Sequence, residues 1–464
     1  MAMLELEIAI DPELPSDLAL DLRRHLEERW PDLAFTPLRL PAPQRDARDG
    51  PLLVLLRPGA TPPPADPGAL AVVSWDGAAN LRGRGRLFRQ VDVEIARVTA
   101  QRRGRPPDRD VSPPPREMTR RALLRIPLPI GRPLPPVPWF EAGLCLQAEG
   151  CDKCVSCCPQ GAFSLSGGGA AIDVASCTGC GACVSACPTG AVESAYLGDG
   201  QWRAALGVLA AAPGQGRLTL RCPQSVAGVP EERVTLQVGC IGEVGWHHLL
   251  TCYAEAGHLP ELLCERHDCQ RRPQAEAALA RLEVAAAALP ASLPERPAAE
   301  ATDTPRAPRR GEVAAALRRL GIAIGEEAKP AIWPQLGWAP QVADSCTFCG
   351  GCVHTCPAGV FAIEEEARAT TLRVDAALCA GCGTCARTCP ERALEVVPAR
   401  ISDLLGAMER FRTAKELCKG CGQPYESPTF IAALRQRMVN AGFGGLLVER
   451  LDYCPECRAA LPRG

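Results

Sequence analysis

A chain of 464 residues with 47% hydrophobic content has room for about three packed domains and is not a disordered polymer. Its net charge of -2 argues against general nucleic-acid binding, and no stretch approaches twenty uninterrupted apolar residues, so no membrane span is expected. The 26 cysteines, behind an N-terminus (MAMLELEIAI) that carries acids in place of a basic leader, imply a reducing cytoplasmic setting in which thiols serve metals.

At the start of the chain Leu4, Leu6, Ile8 and Ile10 alternate with Glu5, Glu7 and Ala9, the period of a half-buried strand. Ser16 or Asp17 can cap a helix over 18–29, whose Leu18, Leu22 and Leu26 recur at helical spacing. Short strands are expected at 52–56 and 70–75. Residues 1–104 thus read as a small α/β domain with no phosphate loop, no dinucleotide glycine fingerprint and no cysteine. Proline then punctuates 105–138, and arginine is frequent from Arg82 to Arg125, so this stretch reads as a stiff basic linker. It is either solvated surface or a dock for an acidic partner.

Between Cys145 and Cys187 stand nine cysteines. Cys177, Cys180, Cys183 and Cys187-Pro188 follow the spacing C-x2-C-x2-C-x3-C-P, in which three thiolates of one loop hold an iron-sulfur cube and the fourth ligates its neighbour. The same spacing recurs at Cys346, Cys349, Cys352, Cys356-Pro357 and at Cys379, Cys382, Cys385, Cys389-Pro390. Four-cysteine zinc sites and disulfides are the competing readings, but zinc sites usually pair two C-x2-C knuckles, and here the proline recurs in every loop. The pattern resembles the two-cluster bacterial ferredoxin family twice over, at 139–198 and at 312–398 with a preceding helix. The resemblance implies four 4Fe-4S clusters with crossed ligation. One set is then Cys346, Cys349, Cys352 and Cys389, and its partner is Cys379, Cys382, Cys385 and Cys356. In the first module Cys177, Cys180, Cys183 and Cys158 form one set by the same rule. The opposite set departs from the pattern, because Ala148 stands where its first cysteine belongs. Cys151, Cys154 and Cys187 are in register, Cys145 is the expected replacement across a loop lengthened by three residues, and Cys157 is left as a surplus thiol.

Residues 199–288 alternate strands and helices: strands at 218–222, 234–238 and 262–264, and a helix at 246–256. Cys222, Cys240, Cys264 and Cys269 would gather at the carboxyl edge of a parallel sheet, where open α/β sheets collect ligands, while Cys252 falls inside the helix. The stretch LQVGCIGEVGWHHLLTCYAEAGHLPELLCERHDC resembles the delta subunit of methyl-viologen-reducing hydrogenase, which implies a 2Fe-2S centre at those four cysteines. Glu265, Arg266 and His267 stand where that family has His-Pro-Gly. The alternative is a structural domain with reduced, partly buried thiols. His247, His248 and His267 lie near these cysteines, and His354 lies in a cluster loop.

A second connector occupies 289–311. At the C-terminus, 399–464, Cys418-x2-Cys421 and Cys454-x2-Cys457 form two knuckles separated by 32 residues, which suits tetrahedral zinc in a zinc-ribbon-like element. A rubredoxin-like iron site and an unmetallated group are the alternatives. The fold class expected is therefore α+β multidomain: two ferredoxin-like dicluster modules, a central parallel-sheet module, a small N-terminal α/β domain and the C-terminal element. No nickel, molybdenum, flavin or nucleotide motif stands out, so the chain reads as a non-catalytic iron-sulfur electron-transfer subunit of an oxidoreductase complex. Its expected partners are redox enzyme subunits of formate dehydrogenase, hydrogenase or heterodisulfide reductase type. A redox sensor and a metalloenzyme-assembly factor are the competing functions.

Overall fold

The computed structural model describes residues 4–10, 16–30, 33–39, 52–56, 70–74, 90–97, 137–148, 150–166, 169–211, 217–223, 225, 233–289, 308–320, 337–404 and 406–461. Apart from their ends, the two proline-rich connectors lie outside the described residues. The chain divides into two units, Met1–Gly143 with Asp152–Leu293, and Leu144–Cys151 with Pro294–Gly464.

The first unit opens with a four-stranded sheet of order β2-β1-β3-β4, with β1 (Leu4–Ile10), β2 (Leu33–Arg39), β3 (Leu52–Leu56) and β4 (Leu70–Ser74), paired in parallel throughout. Its helix Ser16–Arg29 buries Leu18, Leu22 and Leu26, a single stripe at four-residue spacing. A helix over 90–97, absent from the sequence reading, anchors this layer. Its Asp92 accepts hydrogen bonds from Trp30 Nε1 at 2.8 Å and pairs with His25 at 3.0 Å. Its Gln90 side chain takes both backbone hydrogen bonds of Thr235, at 2.6 and 2.7 Å, as an added strand residue would.

The ferredoxin-like part of this unit consists of β5 (Trp139–Phe140), β6 (Phe163–Ser166), β7 (Gly169–Ile172) and β8 (Val192–Glu193), in which β5 pairs with β8 outside a β6–β7 hairpin. Short helices, Lys153–Ser156 and Ala182–Ala186, follow the two cysteine loops. The central module is a three-stranded parallel sheet of order β10-β9-β11, built from β9 (Arg217–Arg221), β10 (Arg233–Gln237) and β11 (Glu261–Leu263). Leu218, Leu220, Val234 and Leu236 are buried, since a short parallel sheet is covered on both faces. Helices Asp199–Ala210, Trp246–Ala256 and Arg272–Ala288 supply Trp202, Leu249 and Ala278 to the same core.

The second unit repeats the ferredoxin-like plan. Here β12 (Trp338–Val342) pairs with β15 (Leu394–Pro398) outside the hairpin of β13 (Phe361–Glu365) and β14 (Ala369–Val374). Helices Gly351–Thr355 and Thr384–Thr388 follow the loops and meet through their threonine hydroxyls, Thr355 to Thr388, at 3.4 Å. The preceding helix begins at Pro308, inside the stretch read as connector 289–311, because proline's missing N–H costs nothing in a first helical turn. A further strand, β16 (Met408–Ala414), adds antiparallel to β14, so the residues after 398 continue this sheet. Beyond it lie a hairpin of β17 (Glu416–Leu417) and β18 (Pro424–Glu426) and helices Pro428–Asn440, Gly445–Glu449 and Pro455–Ala460. The architecture is mixed α and β with small sheets. Among the described residues no helix is long and apolar enough to cross a membrane.

Candidate functional site

The complete cysteine loops share one backbone trace. The second residue after the first cysteine is left-handed, at Gly179 (φ 66°), Phe348 (φ 54°) and Gly381 (φ 71°), and so is the fourth, at Gly181, Gly350 and Gly383. Two left-handed residues coil the chain tightly enough for three cysteines to converge. Phe348 adopts this conformation without being glycine; its ring stacks on Phe411 of β16 at 5.1 Å. The irregular loop keeps the first of these turns, with Gly150 at φ 86°, which marks Ala148 as the position of the absent cysteine.

In the second module the thiols separate into two groups. A cleft with about 400 Å³ of free space is lined by Cys346, Cys349, Cys352 and Cys389. A second, with about 330 Å³, is lined by Cys356, Cys379, Cys382 and Cys385. Each loop thus contributes its last cysteine to the other loop's cleft. Burial, followed by repulsion from neighbouring thiolates, pushes Cys352 and Cys385 up to about 12, and burial pushes Cys379 up to about 11 against the opposing pull of the Gly381 N–H and the Arg310 charge. Desolvated thiols crowded together resist ionisation unless a cation neutralises them. The backbone is set for thiolates nonetheless: Val360 N–H reaches Cys356 Sγ at 3.4 Å and Ala393 N–H reaches Cys389 Sγ at 3.3 Å. Arg310, buried in helix Pro308–Leu320, donates to Ala377 O at 2.5 Å and places its charge beside Cys379.

The first module keeps the same N–H to sulfur contacts, Ala162 to Cys158 at 3.3 Å and Val192 to Cys187 at 3.4 Å. Cys183 is raised by burial and then by the thiolates of Cys157, Cys180, Cys177 and Cys158, which brings the expected set Cys158, Cys177, Cys180 and Cys183 into one neighbourhood. Cys157, set aside above as surplus, also stands in it. Burial and the charges of Cys158, Cys180 and Cys187 push its thiol up to about 12. The remaining expected set is divided, since Cys145 and Cys151 belong to the second unit and Cys154 and Cys187 to the first.

In the central module Cys222, Cys240, Cys264 and Cys269 line one cleft with about 320 Å³ of free space, together with Arg271 and Arg272. Cys222 follows the last residue of β9 and Cys264 the last of β11, while Cys240 opens a 3-10 turn, Ile241–Glu243, three residues beyond β10. Strand ends therefore assemble ligands that are far apart in sequence. Cys252 lies away from this cleft, fully buried, with its thiol donating to His258 O at 3.3 Å. Glu243 gave no signal in sequence. It is buried, and burial pushes its carboxyl up to about 7 against the Ser194 hydroxyl at 2.8 Å, the N–H groups of Gly239 and Cys240, and Arg271.

Near the C-terminus the Sγ atoms of Cys418, Cys421, Cys454 and Cys457 all lie within 4.8 Å of one another. Burial opposes ionisation of Cys418, but N–H groups of Cys454, Cys421 and Gly420 overcome it and bring the thiol down to about 6. Cys457 goes the other way, up to about 12, through its thiol contacts with Cys454, Cys421 and Cys418. One ready thiolate among four converging sulfurs is a donor set for a thiophilic cation.

Comparison with known families agrees with the cysteine spacing of the second module and of the second loop of the first. The model of the 4Fe-4S dicluster domain matches residues 345–394, which hold all eight cysteines of the second module, and that of the 4Fe-4S binding domain matches 170–193, the second loop of the first. No curated protein matches the chain. The chain therefore carries two 4Fe-4S ferredoxin-type domains and, separately, a four-cysteine site near its C-terminus.

Proposed function

We propose that the protein is an electron-transfer subunit that relays single electrons between a partner dehydrogenase or hydrogenase and an acceptor. The observation that carries this reading is the division of the second module's eight cysteines into two four-thiol clefts with crossed loops. One-electron chemistry is what iron-sulfur clusters supply when bound in such sites. The chain's own contribution is to fix the thiolates and donate N–H groups to sulfur. In this proposal the sets Cys346, Cys349, Cys352, Cys389 and Cys356, Cys379, Cys382, Cys385 hold two 4Fe-4S clusters. Cys158, Cys177, Cys180 and Cys183 hold a third, and Cys151, Cys154 and Cys187 contribute to a fourth together with Cys145. Cys222, Cys240, Cys264 and Cys269 take a 2Fe-2S centre, supported by the cleft they share and by the resemblance to the hydrogenase delta subunit. Cys418, Cys421, Cys454 and Cys457 take zinc. The proposed partners are cytoplasmic enzymes of formate dehydrogenase, hydrogenase or heterodisulfide reductase type.

Repeated reduction by methyl viologen radical and reoxidation by air-free ferricyanide, followed by absorbance and iron content, tests the carrier role. The expected result is bleaching and full recovery over several cycles with no iron lost. Iron loss in the first cycle would point instead to clusters that serve as a switch.

A further inference from the structure

Three arginines line the central cleft: Arg266, Arg271 and Arg272. Arg266 pairs with Asp268 at 3.0 Å on the surface, and Arg272 pairs with Glu276 at 2.8 Å while donating to Cys264 O at 3.2 Å. Arg271 has a different setting. It precedes helix Arg272–Ala288, and its Nη1 donates to Gly239 O at 3.2 Å, which fixes the guanidinium against the turn that presents Cys240. That turn is pressed onto the second cysteine loop of the first module. A Cβ on Gly242 would stand 2.5 Å from the Cys180 carbonyl oxygen, and one on Gly181 would stand 2.5 Å from Glu243 Cβ, so both positions admit only glycine. The two cysteine sites therefore meet backbone to backbone. Arg271 thus sits at this seam, its guanidinium held on the turn that carries Cys240 and that turn packed against the loop that carries Cys177 and Cys180. The thiols that Arg266 and Arg272 face are Cys222, Cys264 and Cys269, all within the central cleft.

We propose that Arg271 is a positioning residue shared by two four-cysteine sites, the central one and that of Cys158, Cys177, Cys180 and Cys183, and that its charge favours the reduced state of both. The proposal rests on the reading that both sites hold clusters. Taking up one electron adds one negative charge to a site, and a fixed cation nearby favours that state. One cation serving both sites moves both in the same direction when it is lost. Two added electrons at sites this close also repel each other directly, so reduction of either site is harder once the other is reduced, with or without the cation.

The test is a dithionite titration of the full-length, anaerobically reconstituted chain, followed by electron paramagnetic resonance. Cys180→Ser serves to identify the first-module signal by its loss. In Arg271→Gln both signals are expected to appear at lower potential, each by about tenfold in the reduction equilibrium, or about 59 mV for a one-electron couple. Arg271→Lys, which keeps the charge and gives up the guanidinium fork, should restore most of both shifts. Arg272→Gln should move the central signal alone. If Arg271→Gln moves only the central signal, or Arg271→Lys matches Arg271→Gln, the shared electrostatic role is overturned while the cluster reading stands. A wild-type chain whose central site holds no iron overturns both.

Discussion

Replacing Cys389 by serine should remove the cluster bound by the other loop of its module, that of Cys346, Cys349 and Cys352, and spare the one bound by its own. The reason lies in the short helix Thr384–Thr388, which ends at Cys389 and carries that thiol into the opposite cleft. Serine offers a harder, more basic oxygen in place of a thiolate, so the variant is expected to lose about four iron atoms per chain with the matching sulfide. Cys356→Ser should lose a similar amount from the other site. Cys349→Ser combined with Cys389→Ser should lose no more than either alone, because both strip one cluster, whereas Cys356→Ser with Cys389→Ser should lose about twice as much. If Cys389→Ser and Cys385→Ser, residues of one loop, prove equivalent in that test, the crossed assignment is wrong.

Removal of metal from the C-terminal knuckles is expected to unfold residues 416–461 while the clusters keep their absorbance. Little else holds this region. Phe443, Leu446 and Leu447 are exposed, and the few buried apolar side chains include Ile431, Val448 and Leu451. Two strands of two and three residues cannot sustain a hairpin alone. Polar ties are present, with Asp452 taking both Lys419 at 2.6 Å and Arg435 at 2.5 Å, yet such half-exposed pairs contribute only about 0–1 kcal/mol each. A structural four-thiolate zinc site is worth about 10–16 kcal/mol in small peptides, more than this element can supply by burial. Chelation, or Cys454→Ser, should therefore abolish protection of helix Pro428–Asn440 against hydrogen exchange. Protection that survives complete removal of metal would show that the four sulfurs converge without a structural ion.

Much of this was legible in the sequence where chemistry is set by short covalent spacing. The ferredoxin loops needed only the three-residue interval and the following proline, and the central strands needed only apolar runs such as Leu218 and Leu220 or Val234 and Leu236. Strand β2 was missed because Pro37 interrupts LAFTPLR, and proline in a run demotes it; the strand pairs with β1 on one side only, an edge that tolerates a missing donor. Strand β16 was missed because its pairing with β14 is long-range. Register alone could not place Cys157, which sits among the thiols of the first module because its short helix turns it toward Cys158 and Cys187. Arg271, Glu243 and Arg310 were invisible for the same reason. Each is an ordinary charged residue until folding sets it beside a cysteine site.

The most direct measurement is the iron, acid-labile sulfide and zinc content of the full-length protein purified without oxygen. Four cubes require about 16 iron atoms and about 16 sulfides, rising to about 18 of each with the 2Fe-2S centre, plus about one zinc. Brown protein with that composition is the predicted result. A colourless chain with zinc in the ferredoxin loops and no acid-labile sulfide would contradict the account.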